Sequence, residues 1–259
     1  MFDIDRYSHH VERLRTDGLD LDSFRDRPLA PGPLRCLRYM HDVEAHTSCY
    51  LRNLLNTKAH HDPAVTKFLT MWAYEELWHG EAIAEVLAAH DEPAGDTRVA
   101  AMRRRLGWRI TASPLVWMGL SSVTRHFLAV HMTFGVVNEW TTQAGYSRLI
   151  EEADHPVLTA LLRKIMRQEG RHIDYYLTQS RSLLGASPRA QRVTRRALAG
   201  LWQPVGAQVM PRSETGHLVR TLFGGEAGRG AARRIDRRIH ALPGLDGLHL
   251  MAGAIAKYG

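Results

Sequence analysis

Glutamate and histidine stand three residues apart at Glu76 and His79, and again at Glu169 and His172. A lone glutamate precedes each pair, Glu44 by 32 positions and Glu139 by 30. On an α-helix, residues three apart share one face, so a Glu and a His at that spacing can reach the same ion. The carboxylate can also extend to a second ion. Four carboxylates and two imidazoles nearly neutralise two divalent cations and leave coordination positions open. Hard oxygen donors with a minority of imidazole suit Fe(II), and after it Mn(II), better than a thiolate-seeking metal. The chemistry open to two iron ions cycling between Fe2+ and Fe3+ is dioxygen activation, with O2 as co-substrate, or iron storage.

The repeat gives the pattern its specificity: a Glu helix, a Glu-x-x-His helix, then the same two again. With 13 Glu and 15 His in 259 residues, less than one Glu-x-x-His is expected by chance, and four occur, one of them at Glu214 and His217 beyond the four long helices. Another, Glu152 to His155, runs into Pro156, and the residue before a proline is biased away from helix. It is therefore set aside as a helix junction. Glu75 competes with Glu76, because residues four apart also share a face. Glu76 is preferred because His172 has its own partner at a spacing of three and Gln168, not an acid, at four. On the first helix Asp42 and His41 rank below Glu44, and Glu81 and Glu85 are expected to face solvent.

These side chains need four long helices to carry them. Residues 1–34 read as irregular and polar, ending in the breaker-rich run 27–33. A first helix is predicted over about 34–58, with Leu37, Met40, Glu44, Thr47 and Leu51 on one face. Asp62-Pro63 opens a second that runs to about residue 90. Residues 96–112 are expected to cross between the two halves. Ser113-Pro114 opens a third stretch reaching about 153, long enough to predict a break near Gly119 or Gly135 and a π-bulge beside Glu139. Asp154 and Pro156 start the fourth, to about 185. Short first–second and third–fourth connections with a long second–third crossover fit a four-helix bundle that holds metals in its core. Beyond Ser187-Pro188 the helices shorten, and 229–242 reads as a basic amphipathic helix. The expected fold is all-α: a bundle domain over 1–185 and a basic helical appendage over 186–259.

Composition narrows the classes further. A chain of 259 residues can bury a sizeable core. No run approaches the ~18 apolar residues of a membrane span, and residues 1–15 carry Asp3, Asp5 and Glu12 without the apolar run of a signal peptide. Cys36 and Cys49 are the only cysteines. On one helix they lie about 20 Å apart and cannot pair within it, so a reducing cytoplasm is expected and no zinc or iron–sulfur site. The net charge of +7 is uneven: residues 186–259 hold 12 Lys or Arg against 4 Asp or Glu. The tail is thus suited to an acidic partner, although an Arg-rich solvated surface explains the charge equally well. It lacks the interleaved aromatics of a nucleic-acid surface.

The strings around the ligands resemble a family. Trp72-Ala73-Tyr74-Glu75-Glu76-Leu77-Trp78-His79-Gly80-Glu81 is similar to the W-x-x-E-E-x-x-H-G-[DE] motif of the soluble acyl-[acyl-carrier-protein] desaturases, members of the ferritin-like di-iron carboxylate superfamily. Gln168-Glu169-Gly170-Arg171-His172 resembles their D-E-x-R-H, and Glu139-Trp140-Thr141-Thr142 their E-x-x-T. The resemblance covers about residues 35–185. It implies a ferritin-like bundle and iron ligation by Glu44, Glu76, His79, Glu139, Glu169 and His172. It also implies an active-site hydroxyl on Thr142 and a homodimer. Two departures stand out: Gln168 replaces the family's acid, and the chain is shorter than typical members.

The function expected on this basis is an O2-dependent di-iron oxidoreductase, desaturase- or hydroxylase-like, acting on an apolar or acyl substrate. That substrate would be carried by an acidic acyl carrier protein met by the tail. Phe68, Trp72, Phe134 and Trp140 are candidate channel residues, though such residues are more often core. Electrons would come from an external donor, since no flavin or iron–sulfur motif is present. The alternatives are a di-iron amine N-oxygenase and a ferritin- or rubrerythrin-like protein that stores iron or reduces peroxide. A rubredoxin module would need four cysteines, and the chain has two.

Overall fold

In the computed structural model, which describes residues 2–259, the chain is helical throughout, with no strand among those residues. The α-helices are, in order, α1 (Ile4–Ser8), α2 (Ser23–Asp26), α3 (Pro31–Leu55), α4 (Pro63–Ala88), α5 (Gly95–Leu106), α6 (Trp108–Val123), α7 (Phe127–Ala153), α8 (Pro156–Gly185), α9 (Pro188–Leu201), α10 (Arg212–Phe223), α11 (Gly225–His240) and α12 (Leu250–Tyr258). A single 3-10 turn, Lys58–His61, stands between α3 and α4.

Local chemistry sets the helix ends. Asp62 caps α4, its carboxylate accepting from the backbone N–H of Ala64 and Val65, with Pro63 at the first position where no donor is needed. Ser187 and Pro188 open α9 in the same way. Pro31 and Pro33 both fit the first turn of α3, which therefore starts three residues before the expected position.

The 96–112 segment carries α5 and the start of α6, divided at Gly107, whose φ of 54° ends one helix and begins the next. Several expectations are corrected. Pro114 lies inside α6 and does not open a helix. The break in the long third stretch falls at residues 124–126, where Thr124 is extended (φ −141°, ψ 139°), and not at Gly119 or Gly135. Gly135 serves close packing instead: a Cβ there would lie 2.4 Å from the Tyr176 ring. Helix α7 continues as regular α-helix past Glu139, without a π-bulge. Residues 2–34 are also more ordered than their composition suggests. They form α1 and α2 and bury Tyr7, Leu14, Phe24 and Leu29.

The chain groups into two compact units. One comprises residues 3–124 and 153–168; the other comprises Phe2, 125–152 and 169–259. In the first, α3 packs along α4, burying Leu37 and Leu54 with Val65, Phe68, Leu69, Ile83 and Leu87. Helix α6 lies against α3, with Trp117 edge-on to Tyr50 at 5.3 Å between ring centres. In the second, α10, α11 and α12 pack on one another. Asp236 of α11 accepts from the N–H of Met251 and Ala252 and so satisfies the start of α12. Helix α11 buries Ile235 and Ile239 and exposes Arg233, Arg234, Arg237 and Arg238, as its pattern predicts. Both cysteines are free thiols.

Two substitutions in the second unit test this packing. Gly135→Ala is expected to destabilise by about 1–3 kcal/mol through overpacking on Tyr176, read by urea unfolding, and Tyr176→Leu in the same chain should recover most of it. His131 is fully buried, and desolvation holds its pKa at about 4, below the ordinary 6.5. The unfolded chain takes up that proton first. Stability should therefore fall as pH drops from about 6.5 to 4, by about 1.4 kcal/mol per pH unit. His131→Leu should flatten that slope in melting curves recorded across the window; an unchanged slope would contradict the assignment.

Candidate metal centre

The apolar stripe that makes each long helix stick to its neighbours also carries the candidate ligands. On α3, Glu44 follows Leu37 and Met40 at spacings of three and four; on α4, Glu76 and His79 sit between Trp72 and Ile83. On α7, Glu139 follows Met132 and Val136, and on α8, Glu169 and His172 sit between Ile165 and Tyr176. These are inward positions of a 3.6-residue period, which apolar side chains otherwise hold. All six candidates are buried, none more than 6% exposed.

In the first unit, Glu44, Glu76 and His79 each offer a ligand atom within 4.8 Å of the others. The Nδ1 of His79 lies 3.8 Å from Glu76 Oε2, while its Nε2 is 2.8 Å from Gln168 Oε1. The amide of Gln168 is itself oriented, because its Nε2 donates to the Glu12 carbonyl at 3.2 Å. Its oxygen must then face His79, which places the imidazole proton on Nε2 and directs the Nδ1 lone pair to the glutamates. Gln168 thus backs His79 with a neutral acceptor. Outer partners of this kind set the tautomer and ring orientation of a ligating histidine.

In the second unit, Glu139, Glu169 and His172 also bring ligand atoms within 4.8 Å of one another. His172 Nδ1 is 2.9 Å from Glu169 Oε2. Adjacent donors on one ion at bond lengths of about 2.1 Å lie roughly 3 Å apart, so the pair already has that separation. The result is a buried carboxylate–histidine cluster compatible with a two-metal site.

Of the residues picked from the sequence as ligands, Glu44, Glu76 and His79 lie together in the first unit and Glu139, Glu169 and His172 in the second. Glu76 is the acid that joins His79; its neighbour Glu75 is fully buried and accepts a 2.6 Å hydrogen bond from the Tyr7 hydroxyl. Asp42 is engaged by Arg98 through two bonds of 2.6 and 2.8 Å, and His41 leans on Asp42 at 3.1 Å. Glu81 and Glu85 are exposed. At the junction, Glu152 pairs with Arg148 and His155 stacks on Phe24. Thr142 is half-buried one turn beyond Glu139, next to Thr141, whose hydroxyl donates to the Val137 carbonyl. Of the four candidate channel residues, Phe68, Trp72 and Trp140 are buried and Phe134 half-buried. Phe68 sits beside Tyr7, and Trp72 edge-on to Tyr50. Two elements escaped the sequence pattern, the Tyr7–Glu75 bond and the Glu12–Gln168–His79 relay. Both depend on an amino-terminal segment with no periodic signal.

Comparison with protein-family models, with curated proteins and with solved structures finds no match to this chain.

Buried carboxylates so close together repel unless cations or protons neutralise them. Glu76→Gln and Glu169→Gln should therefore raise the melting temperature of metal-free protein. The same changes should abolish the rise that anaerobic Fe(II) or Mn(II) gives the wild type, as scanning calorimetry will show. Gln168→Leu is expected to weaken metal binding about 10–100-fold in a chelator competition, with Gln168→Glu retaining it.

Proposed function

We propose that the chain is a non-haem di-iron oxidoreductase that uses O2 to oxidise C–H bonds of an apolar, acyl-like substrate. In this proposal Glu44, Glu76, His79, Glu139, Glu169 and His172 would hold the iron. One observation carries the reading: four buried carboxylates and two buried imidazoles offer their ligand atoms in close groups. The similarity of the strings at residues 72–81, 139–142 and 168–172 to acyl-carrier-protein desaturases supports the choice of reaction.

Bound iron would supply O2 binding and the one-electron steps that C–H oxidation needs. The remaining work falls to the chain. Burial of all six ligands keeps water from the centre, which favours substrate oxidation over wasteful turnover. Gln168 fixes the His79 ring so that only Nδ1 is presented. Thr142, one turn from Glu139, is proposed to pass a proton toward the centre. For desaturation, two hydrogens leave adjacent carbons of the substrate. An external donor adds two electrons, two protons are taken up, and O2 departs as two waters. For hydroxylation the same electrons and protons leave one oxygen in the product and one in water. The electron donor must be external, because neither cysteine has the partners an iron–sulfur cluster needs. The exposed arginines of α11 suit an acidic carrier for the substrate. Homodimerisation belongs to the same proposal.

Metal analysis of protein loaded under anaerobic conditions should give about two irons per chain. Exposure of that form to O2 with acyl-carrier-bound or free acyl chains should give a product lighter by two hydrogens or heavier by one oxygen in mass spectrometry. Glu139→Ala should remove the product. Iron accumulation far beyond two per chain, with O2 consumed and no organic product, would make the chain an iron store.

A further inference from the structure

Helix α6 turns an apolar face to solvent. Val123 and Trp108 are 84% and 78% exposed, and Leu115, Val116, Met118 and Leu120 are exposed between them. At 100° per residue, Trp108, Ala112, Leu115, Val116, Gly119 and Val123 fall on one side of the helix. The opposite side is the one that packs. Trp117 meets Tyr50 there, Ser121 is buried, Ser113 bonds Asn53, and Arg52 donates to the Ile110 carbonyl. The helix is thus held along one face, and its outer face is a ridge of large apolar side chains of the kind that marks an interaction site.

Charge indicates what the ridge meets. No Asp or Glu occurs between Asp96 and Glu139, whereas Arg103, Arg104, Arg105 and Arg109 cluster around the start of α6. Arg104, Arg105 and Arg109 are exposed. A second copy seated on this face would bring another acid-free, arginine-bearing segment against it, with no carboxylate from that segment to pair. An anionic lipid surface satisfies both features: phosphates for the arginines, and an acyl layer beneath them for the apolar ridge. Trp108, at the junction of the two, is the residue type that partitions to the headgroup level. No described helix is long and apolar enough to cross a membrane, and α6 has 16 residues, so the helix would lie in the interface plane.

We infer that the outer face of α6, with Arg104, Arg105 and Arg109, docks the protein on an anionic bilayer surface. None of the residues of this surface is among those proposed to hold iron, so its failure leaves that reading untouched, and iron loading serves as the control. The full-length protein is sedimented with phosphatidylcholine vesicles, with and without one-third phosphatidylglycerol, at low and high salt. The expected result is binding to the anionic vesicles that weakens at least about tenfold without phosphatidylglycerol and again at high salt. Leu115→Glu with Val116→Glu, and separately Arg104→Glu with Arg105→Glu and Arg109→Glu, should each weaken it at least about tenfold. Circular dichroism and iron content should stay unchanged, as expected for exposed positions. Leu115→Ser with Val116→Ser provides a milder change should the charged pair unfold. The basic tail is controlled by changing Arg233, Arg234, Arg237 and Arg238 to Glu, which should leave binding within about twofold. The inference fails if wild-type protein stays in the supernatant, or if the α6 variants sediment like wild type. It fails equally if the tail variant alone abolishes binding, or if light scattering finds a dimer that the Leu115→Glu, Val116→Glu pair dissociates.

Discussion

Burying charge is the constraint on which the rest depends. Four glutamates sit at helix positions that would ordinarily hold leucine or methionine, and all are nearly closed to solvent. An isolated carboxylate at such a site would take a proton or find a partner, because the interior solvates charge far less well than water. Two divalent cations supply four positive charges against four negative ones, and two imidazoles complete the donor set without adding charge. Burial, donor type and proximity are thus together compatible with metal ions at this cluster.

The helices meet this constraint through their periodicity. Because 3 and 4 residues bracket one turn, a Glu-x-x-His pair can sit within an apolar stripe without interrupting it. Leu69, Trp72, Glu76, His79 and Ile83 share one side of α4. Caps and prolines fix where each stripe begins, so Asp62 and Pro63 position Glu76 from a full turn-count away. The amino-terminal segment then supports the imidazole. Glu12 offers a carbonyl to Gln168, Gln168 offers its oxygen to His79, and Tyr7 satisfies Glu75, leaving Glu76 as the acid that faces the cluster. An amide where the desaturase-like string has an acid makes a weaker acceptor, so His79 should be a less basic ligand than a carboxylate-backed imidazole.

Much of this was legible in the residues. Paired Glu-x-x-His strings on long periodic segments mark both the buried carboxylate–histidine residues and the helices that carry them, and Pro63 and Pro156 mark two helix starts. What stayed hidden has physical causes. Gly135 reads as a place to kink, yet the ring of Tyr176 occupies the space its missing side chain leaves, a contact between residues 41 apart in sequence. Ser113-Pro114 reads as a helix start, yet Gly107 takes that role because its positive φ turns the chain first. Phe24 and Tyr7 lie in polar surroundings with no periodic signal, and only the packed chain reveals them as core. The outward face of α6 was equally invisible, since an apolar run says nothing about which side is covered.

Anomalous diffraction at the iron edge from crystals of the iron-loaded protein tests the central claim most directly. The account predicts two peaks about 3.5–4 Å apart, one bounded by Glu44 and His79, the other by Glu139 and His172, with Glu76 and Glu169 touching both. A single peak, no peak, or iron held only at surface histidines such as His60 and His61 would contradict it.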